Sequence, residues 1–294
     1  MSSTKDYLNL HFLVFLWGFT AILGKLVTIP AVEMVFYRTL LSAMGMAALM
    51  LMRKETFGVS NGDLIKLLLT GCIVAIHWLT FFVSARVSNP STSLVGFATC
   101  SLWAALLEPL VKKQKIKLVE VFLGVVVIGG LYIIFSFDFQ YPLGLFLGIL
   151  SGVTVAIFGV INSLMVKRIN STAITFYEMT GACITIVLFF PIYQNYFSAD
   201  GALHLNPPAL DWLWIAILAL VCTVYAYAIA IELMKRLSVF FIQLSLNLEP
   251  VYGIILALFI FGETEVMDWS FYLGTAIILT AVLLYPVLKS RRVP

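Results

Sequence analysis

Long apolar runs, each about the length needed to cross a bilayer, dominate this 294-residue sequence. A membrane-spanning helix needs about 20 mostly apolar residues, because the hydrocarbon core is about 30 Å thick. The runs lack the alternation of a β-barrel, and lipid cannot pair free backbone groups, so the expected spans are helices. The sequence predicts ten of them, at residues 9–29, 31–52, 64–83, 90–111, 118–137, 142–165, 172–194, 212–233, 239–261 and 269–288.

The composition agrees with a chain that lies mostly in lipid. Hydrophobic residues make up 62% of the sequence and charged residues 11%, whereas soluble domains average about 45–50% and about 25%. The joining segments are too short to form a soluble domain, so we expect an integral membrane protein without an ATPase or regulatory module. The cysteines have no metal-binding or redox spacing and are interpreted as small packing residues.

Lysine and arginine residues are concentrated in alternate connections between the predicted spans. With the N-terminus inside, 15 of the 18 fall in cytoplasmic segments. Short loops rich in Lys and Arg stay on the cytoplasmic side, so the pattern predicts ten spans with both termini cytoplasmic. The net charge of +3 therefore reflects topology, and no nucleic-acid partner is expected.

The ten spans divide into two groups of five, residues 1–140 and 141–294. An odd number of spans in each half inverts the second half in the membrane, as in many secondary transporters. Short sequence similarities recur in the same order in both halves: Phe36-Tyr37 with Phe176-Tyr177, and Leu123-Gly124 with Leu273-Gly274. The predicted fold is an all-α membrane protein with two inverted five-helix repeats.

Several motifs carry a family resemblance over essentially the whole chain. They are Trp17-Gly18, Arg38, Leu248-Glu249-Pro250-Val251 and Phe261-Gly262-Glu263. With the two five-helix halves, they resemble the EamA-type branch of the drug/metabolite transporter superfamily. The resemblance implies an inner-membrane carrier with a central cavity between the halves that works by alternating access. Bacterial proteins of this kind often resemble exporters of amino acids and related metabolites.

Glu249 is the first candidate for a functional residue, because a charge near the bilayer centre costs roughly 2.5–3.5 kcal/mol on insertion scales. Pro250 follows it and removes a backbone N–H, which predicts a helix kink. Gln243 and Asn247 precede it and make this the most polar stretch in any span. Glu249 either binds a proton or an amino group of the cargo, or bonds across a helix interface as a structural acid.

Arg38, in the second predicted span, is the second candidate, because a guanidinium can hold a carboxylate through two hydrogen bonds. That carboxylate would belong to the cargo, or to Glu33, Glu178 or Glu249 in a structural ion pair. Glu178 occupies the equivalent position in the second half, but inversion places it about 12–15 Å away in depth. A direct Arg38–Glu178 pair is therefore not expected.

The remaining candidates are weaker and each has a structural alternative. His77 would relay protons or serve as a neutral hydrogen-bonding residue between helices. Aromatic residues, among them Trp17, Tyr37 and Trp78, would stack on cargo, enclose an ammonium group or simply pack. Asn162 is a cavity candidate on the sixth span.

Two glutamates share the local sequence Leu-Glu-Pro but are expected at different depths. The distance in sequence to the following span places Glu108 at the cytoplasmic end of the fourth span, where it can pair with Lys112 at i+4. Glu249 stays in the middle of the ninth span. Only Glu249 is therefore a predicted site residue.

These observations predict a secondary carrier of small organic solutes that requires no cofactor or metal. The motifs of enzymes that bind nucleotides, zinc or acyl groups are absent from the sequence. The sequence is compatible with protons as the coupling ion and with a monomer. The alternatives are uptake or exchange of a cationic metabolite such as a quaternary amine, and a channel-like or non-transporting membrane protein.

Overall fold

The structure, a computed structural model, describes residues 3–88, 90–135, 141–198, 200–252 and 269–290, and every regular element in these ranges is a helix. From the N-terminus the helices are α1 (Thr4–Leu26), α2 (Ala31–Met52), α3 (Asn61–Val87), α4 (Pro90–Ala98), α5 (Cys100–Val111) and α6 (Leu118–Phe135). They continue as α7 (Pro142–Met165), α8 (Ser171–Tyr196) and α9 (Ala209–Ala219), a π-helical segment (Leu220–Tyr225), α10 (Ala226–Leu233), α11 (Val239–Leu246) and α12 (Trp269–Ser290).

Among the described residues, eight helical stretches are long and apolar enough to cross a membrane, and Leu118–Ile134 is a shorter apolar helix. The predicted spans 31–52 and 142–165 coincide with α2 and α7 at both ends. The predicted span 239–261 is only partly described, because α11 covers its beginning and residues 253–268 lie outside the described residues. The motif Phe261-Gly262-Glu263 lies outside them too, so the described residues do not confirm the count of ten.

Two predicted spans are not single α-helices. The predicted span 90–111 is broken at Thr99 between α4 and α5, where both the amide and the hydroxyl of Thr99 bond back to the Gly96 carbonyl. The predicted span 212–233 contains the π segment, in which Thr223 Oγ1 donates to the carbonyl of Leu218, five residues earlier, at 3.0 Å. Neither irregularity has a proline or glycine at its centre from which the sequence could predict it.

Ion pairs join helix ends at one end of the bundle. Arg236, after α10, bonds Asp6 at the start of α1 at 2.9 Å. Arg168, after α7, pairs with Asp63 at the start of α3 at 2.6 Å. These contacts collect basic connections at one end, as the charge pattern of the sequence predicts.

Glu108 joins the same end of the bundle. Its Oε1 pairs with Lys112 Nζ at 2.6 Å, which confirms the predicted i,i+4 pair. Its Oε2 accepts a hydrogen bond of 3.0 Å from the backbone N–H of Phe240, in the first turn of α11. A carboxylate suits this position because the first N–H groups of a helix lack intrahelical partners. Glu108 is therefore a structural residue that caps a helix far away in sequence.

Asp211 ties together the other end of the bundle. It lies in the first turn of α9 and is 2% exposed. Its Oδ2 accepts hydrogen bonds from the backbone N–H groups of Thr28 and Ile29, at 2.9 and 3.1 Å, just beyond the end of α1. The chain leaving α1 is thereby fixed against α9.

Close helix packing depends on glycines along α7. A methyl group at Gly148 would lie 2.9 Å from the Ser93 carbonyl oxygen, and one at Gly152 would lie 2.7 Å from Thr99 Oγ1. A methyl group at Gly144 would overlap the Ser88 side chain. Since real side chains essentially never approach so closely, α7 contacts the α4–α5 region through its glycine face, as small residues permit in membrane bundles.

Candidate functional site

A central cavity collects side chains from α1, α2, α3, α4, α7, α10 and α11. It contains about 800 Å³ of empty space, counted together with adjoining solvent space. Its wall is largely aromatic, with the rings of Trp17, Trp78, Phe81, Phe82, Phe97 and Phe158. Because both halves of the sequence contribute to the wall, their relative position determines the shape of the cavity.

Arg38 is the cation of this cavity and is 4% exposed. Its Nε donates to Thr223 Oγ1 at 3.1 Å, and the guanidinium carbon lies 4.0 Å from the centroid of the Trp78 ring. The two Nη groups have no hydrogen bond or ion pair with the described residues. The bond to Thr223 therefore fixes the inner end of the guanidinium and leaves its two terminal donors for a ligand.

The three carboxylates considered as partners of Arg38 do not form ion pairs with it within 4.0 Å in the described residues. Glu33 Oε1 accepts from the backbone N–H of His204 at 3.1 Å. Glu178 bonds to Asn162 and Tyr227 instead. Glu249 lines the same cavity as Arg38 and makes no ion pair with it.

Glu249 is partly exposed to the cavity and makes no hydrogen bond with a described residue. It follows an interruption of the ninth span: α11 ends at Leu246, residues 247 and 248 form a turn, and residues 249–252 are helical. Pro250 lacks the N–H that would bond to the Leu246 carbonyl, which is where α11 ends. The cavity thus holds one cation and one carboxyl group that are free to bind a third partner.

His77 lies in the same wall, 8% exposed, among the rings of Phe81, Phe97 and Phe158. Its Nδ1 is 3.0 Å from the carbonyl oxygen of Ser151 and 2.9 Å from that residue's hydroxyl. Because the carbonyl oxygen can only accept, a hydrogen on Nδ1 would complete this contact. That tautomer would leave Nε2 as the ring nitrogen available to a ligand.

Trp17 and Gln243 line the cavity, and each also donates a hydrogen bond to the backbone of another helix. The indole N–H of Trp17 donates to the Cys222 carbonyl of the π segment at 2.9 Å. Gln243 Nε2 donates to the Val155 carbonyl at 2.9 Å, and its Oε1 is buried without a partner among the described residues. Gln243 Oε1 is therefore a free acceptor beside the cavity.

Four of the predicted candidates lie outside the cavity wall. Tyr37 donates to the Leu205 carbonyl at 2.8 Å and packs against Trp212; successive helical residues point about 100° apart, so Tyr37 does not share the direction of Arg38. Asn247, 1% exposed, bonds to the Gln243 and Leu244 carbonyls and completes the last turn of α11. Glu178 and Asn162 lie behind the wall, where Tyr227 contacts both.

Sequence reasoning missed Phe97 and Phe158 as cavity residues, and it missed the π segment. Aromatic residues occur on every face of these helices, so the sequence contains no signal that separates cavity rings from packing rings. In the described part of the chain, no group of three or more His, Cys, Asp or Glu side chains is placed to hold a metal ion.

Comparisons with known proteins agree with this architecture. The chain shares its fold with a solved structure titled only "Crystal structure of protein", with a TM-score of 0.79 and 14% sequence identity, over 99% of this chain and 100% of that one. A search of curated proteins found no match to the sequence. The model of the EamA-like transporter family matches residues 6–136 and again residues 142–285, nearly the whole chain. The chain is therefore a membrane protein that belongs to the EamA-like transporter family.

Proposed function

We propose that this protein is a secondary carrier that exports amino acids or related small metabolites across the inner membrane by alternating access. One observation carries the choice of cargo: Arg38 and Glu249 face the same cavity without pairing with each other. A zwitterion would neutralise both groups, with its carboxylate on the Nη donors of Arg38 and its ammonium group on Glu249. The aromatic wall would enclose the rest of the cargo.

Alternating access requires two halves that move against each other around the cargo. We place them at residues 1–140 and 141–294, as inverted repeats of five helices each, with both termini in the cytoplasm. The twofold match of the family model supports this division. The collection of Arg168, Arg236 and Lys112 at one end of the bundle supports the orientation.

A carrier of quaternary amines is the second candidate, and the aromatic wall favours it through cation–π attraction. Against it, the guanidinium of Arg38 already covers the Trp78 ring at 4.0 Å. A second cation at that ring would meet like-charge repulsion. We therefore rank a zwitterionic cargo above a purely cationic one.

Counterflow in proteoliposomes tests the proposal. We expect saturable uptake of at least one labelled amino acid against an unlabelled excess, and weaker uptake of choline, each measured with and without a pH gradient. The matched control is Tyr37→Phe, which alters a residue next to Arg38 that does not line the cavity. Saturable choline flux alone would favour the cationic cargo, and an absence of saturable flux across amino acids, amines and sugar derivatives would exclude the carrier.

A further inference from the structure

A buried carboxyl group lies directly behind the cavity wall. Glu178 on α8 is 0% exposed. Its Oε2 accepts hydrogen bonds from the Tyr227 hydroxyl at 2.8 Å and from Asn162 Nδ2 at 3.2 Å. Tyr227 also lines the cavity, whereas Glu178 and Asn162 do not. The carboxyl group is therefore one hydrogen bond away from the cargo space.

Two oxygen atoms in this cluster are buried without a hydrogen-bond partner among the described residues. They are Oε1 of Glu178 and Oδ1 of Asn162. Each buried acceptor without a partner costs about 1–3 kcal/mol. An ionised carboxylate can only accept, so it cannot satisfy the amide oxygen beside it.

A proton on Oε1 would supply the donor that both of these oxygen atoms lack. A protonated carboxyl group has one donor and one acceptor, and a primary amide has the complementary pair. The acid O–H can donate to Asn162 Oδ1 while Asn162 Nδ2 donates to the other acid oxygen. The second of these bonds is the observed 3.2 Å contact.

In the part of the chain that the structure describes, no cation forms a hydrogen bond or ion pair with this carboxyl group. Among the described residues, the side chains that interact with the Glu178 carboxyl are those of Asn162 and Tyr227. The other charged or titratable side chains on the packed helices α2, α3 and α10 form no hydrogen bond or ion pair with it; they are Glu33, Tyr37, Arg38, Asp63, Lys66, Cys72, His77, Arg86 and Glu232. Helix α7, which carries Asn162, has no charged residue.

We propose that Glu178 is a proton-binding site behind the cavity wall, with the proton on Oε1 shared with Asn162 and with the Tyr227 hydroxyl as its link to the cavity. The ligand of this site is a proton and not the cargo. The protonation of Glu178 can be tested whether or not the protein transports a cargo. A role of this proton in coupling, however, rests on the proposed carrier function. Turning Tyr227 toward the cargo would remove one hydrogen bond from the acid and open its route to the cavity.

Infrared difference spectroscopy of the full chain in lipid tests the site without any cargo. At neutral pH, we expect the wild-type minus Glu178→Gln spectrum to contain a carbonyl band of a protonated carboxylic acid. The band should shift in heavy water, and it should move in frequency in Asn162→Ser, where the amide partner is lost. Glu249→Gln is the control, since its difference spectrum reports on the cavity-facing acid alone.

A difference spectrum with only carboxylate bands would overturn the proposal. A carbonyl band of a protonated acid whose frequency is the same in Asn162→Ser would overturn it too. Gln at position 178 repeats the hydrogen-bonding pattern of the acid, so we expect this variant to keep its melting temperature, whereas Glu178→Ala should lower it. Equal losses in the Gln and Ala variants would also count against the proposal. Counterflow measured on the same samples separates this result from the proposed function, because a failure of transport leaves the infrared bands unchanged.

Discussion

Residues Arg38 and Glu249 line the same largely apolar cavity without pairing with each other. Such an arrangement costs energy unless another partner completes it, because charges away from water need compensation. Thr223 and Trp78 hold the Arg38 side chain in place while leaving its terminal donors unused. The guanidinium is thus pre-organised for a ligand, because its side chain is already ordered and loses little conformational entropy on binding.

At position 249, Glu249→Gln keeps the size of the side chain and removes its charge and proton. We expect a loss of transport of about tenfold or more, since a hydrogen bond to a charged group contributes about 1.5–3 kcal/mol. The pH dependence of counterflow should change as well, while expression stays near the wild-type level. Unchanged rate and pH profile would mean that Glu249 has a structural role only.

At position 38, Arg38→Ala removes both terminal donors. We expect the apparent affinity for a cargo with a carboxylate to fall about 10–100-fold, for the same energetic reason. The affinity for the matching amide, which lacks the charge, should fall much less. Competition against labelled cargo measures both, and equal losses for the two ligands would indicate that Arg38 only supports the fold.

Among the elements, the π segment Leu220–Tyr225 stands out because two side chains from two other helices bond to it, and a third bonds to the residue just before it. Trp17 donates to the Cys222 carbonyl and Arg38 to the Thr223 hydroxyl, while Ser42 donates to the carbonyl of Ala219, the last residue of α9. A π segment adds a residue to a turn, and such segments occur frequently at functional sites. Here the segment links the cation of the cavity to the middle of the eighth predicted span.

Replacing the acceptor within this segment tests that link. Thr223→Val leaves Arg38 Nε without its bond, so we expect a loss of about 1–3 kcal/mol in stability, visible as a lower melting temperature in detergent, and weaker transport. Thr180→Val is the matched control, because the Thr180 hydroxyl bonds only to the Phe176 carbonyl of its own helix. Similar losses of melting temperature and transport in the two variants would show that the bond between Arg38 and the π segment has no particular importance.

Replacing glycine by alanine should change the stability of the protein differently on the glycine face of α7 and at an open position on α6. At Gly148, a methyl group meets the Ser93 carbonyl oxygen at 2.9 Å, so Gly148→Ala should cost about 1–3 kcal/mol through overpacking. At Gly129 on α6, nothing lies within 4 Å, so Gly129→Ala should stay within about 0.5 kcal/mol of the wild type. Thermal unfolding in detergent compares the two; a tolerant position 148 would show that α7 can move away from α4.

Helix positions followed from the sequence, but helix orientations and irregularities did not. The first residues of α2 and α7 were predictable because Pro30 and Pro142 lie at the N-terminal ends of these helices, where proline is tolerated. The π segment depends on donors from α1 and α2, about 180 or more residues away in sequence. The same limit explains why the sequence proposes both Arg38 and its neighbour Tyr37 as candidates, whereas in the structure Arg38 lines the cavity and Tyr37 does not. Rotation of a helix about its axis is decided by its neighbours.

For the whole molecule, the proposed orientation can be tested by chemical labelling. A cysteine at Asp200, in the loop between α8 and α9, should react with a membrane-impermeant maleimide on intact cells. A cysteine at Lys115, between α5 and α6, should react only after the cells are opened. The native cysteines are buried or half-buried free thiols, so their background should be low. The reverse pattern would place both termini outside.

The bond between Arg38 and Thr223 also has a consequence for how the chain is made. The two residues are 185 positions apart, so a ribosome adding about 5–20 residues per second needs about 10–40 s to supply the partner. During that interval a charged side chain occupies a newly inserted helix whose acceptor has not been synthesised. A nascent chain that stops before α9 should therefore be recognised as incomplete by membrane quality control, with Arg38 as the exposed signal.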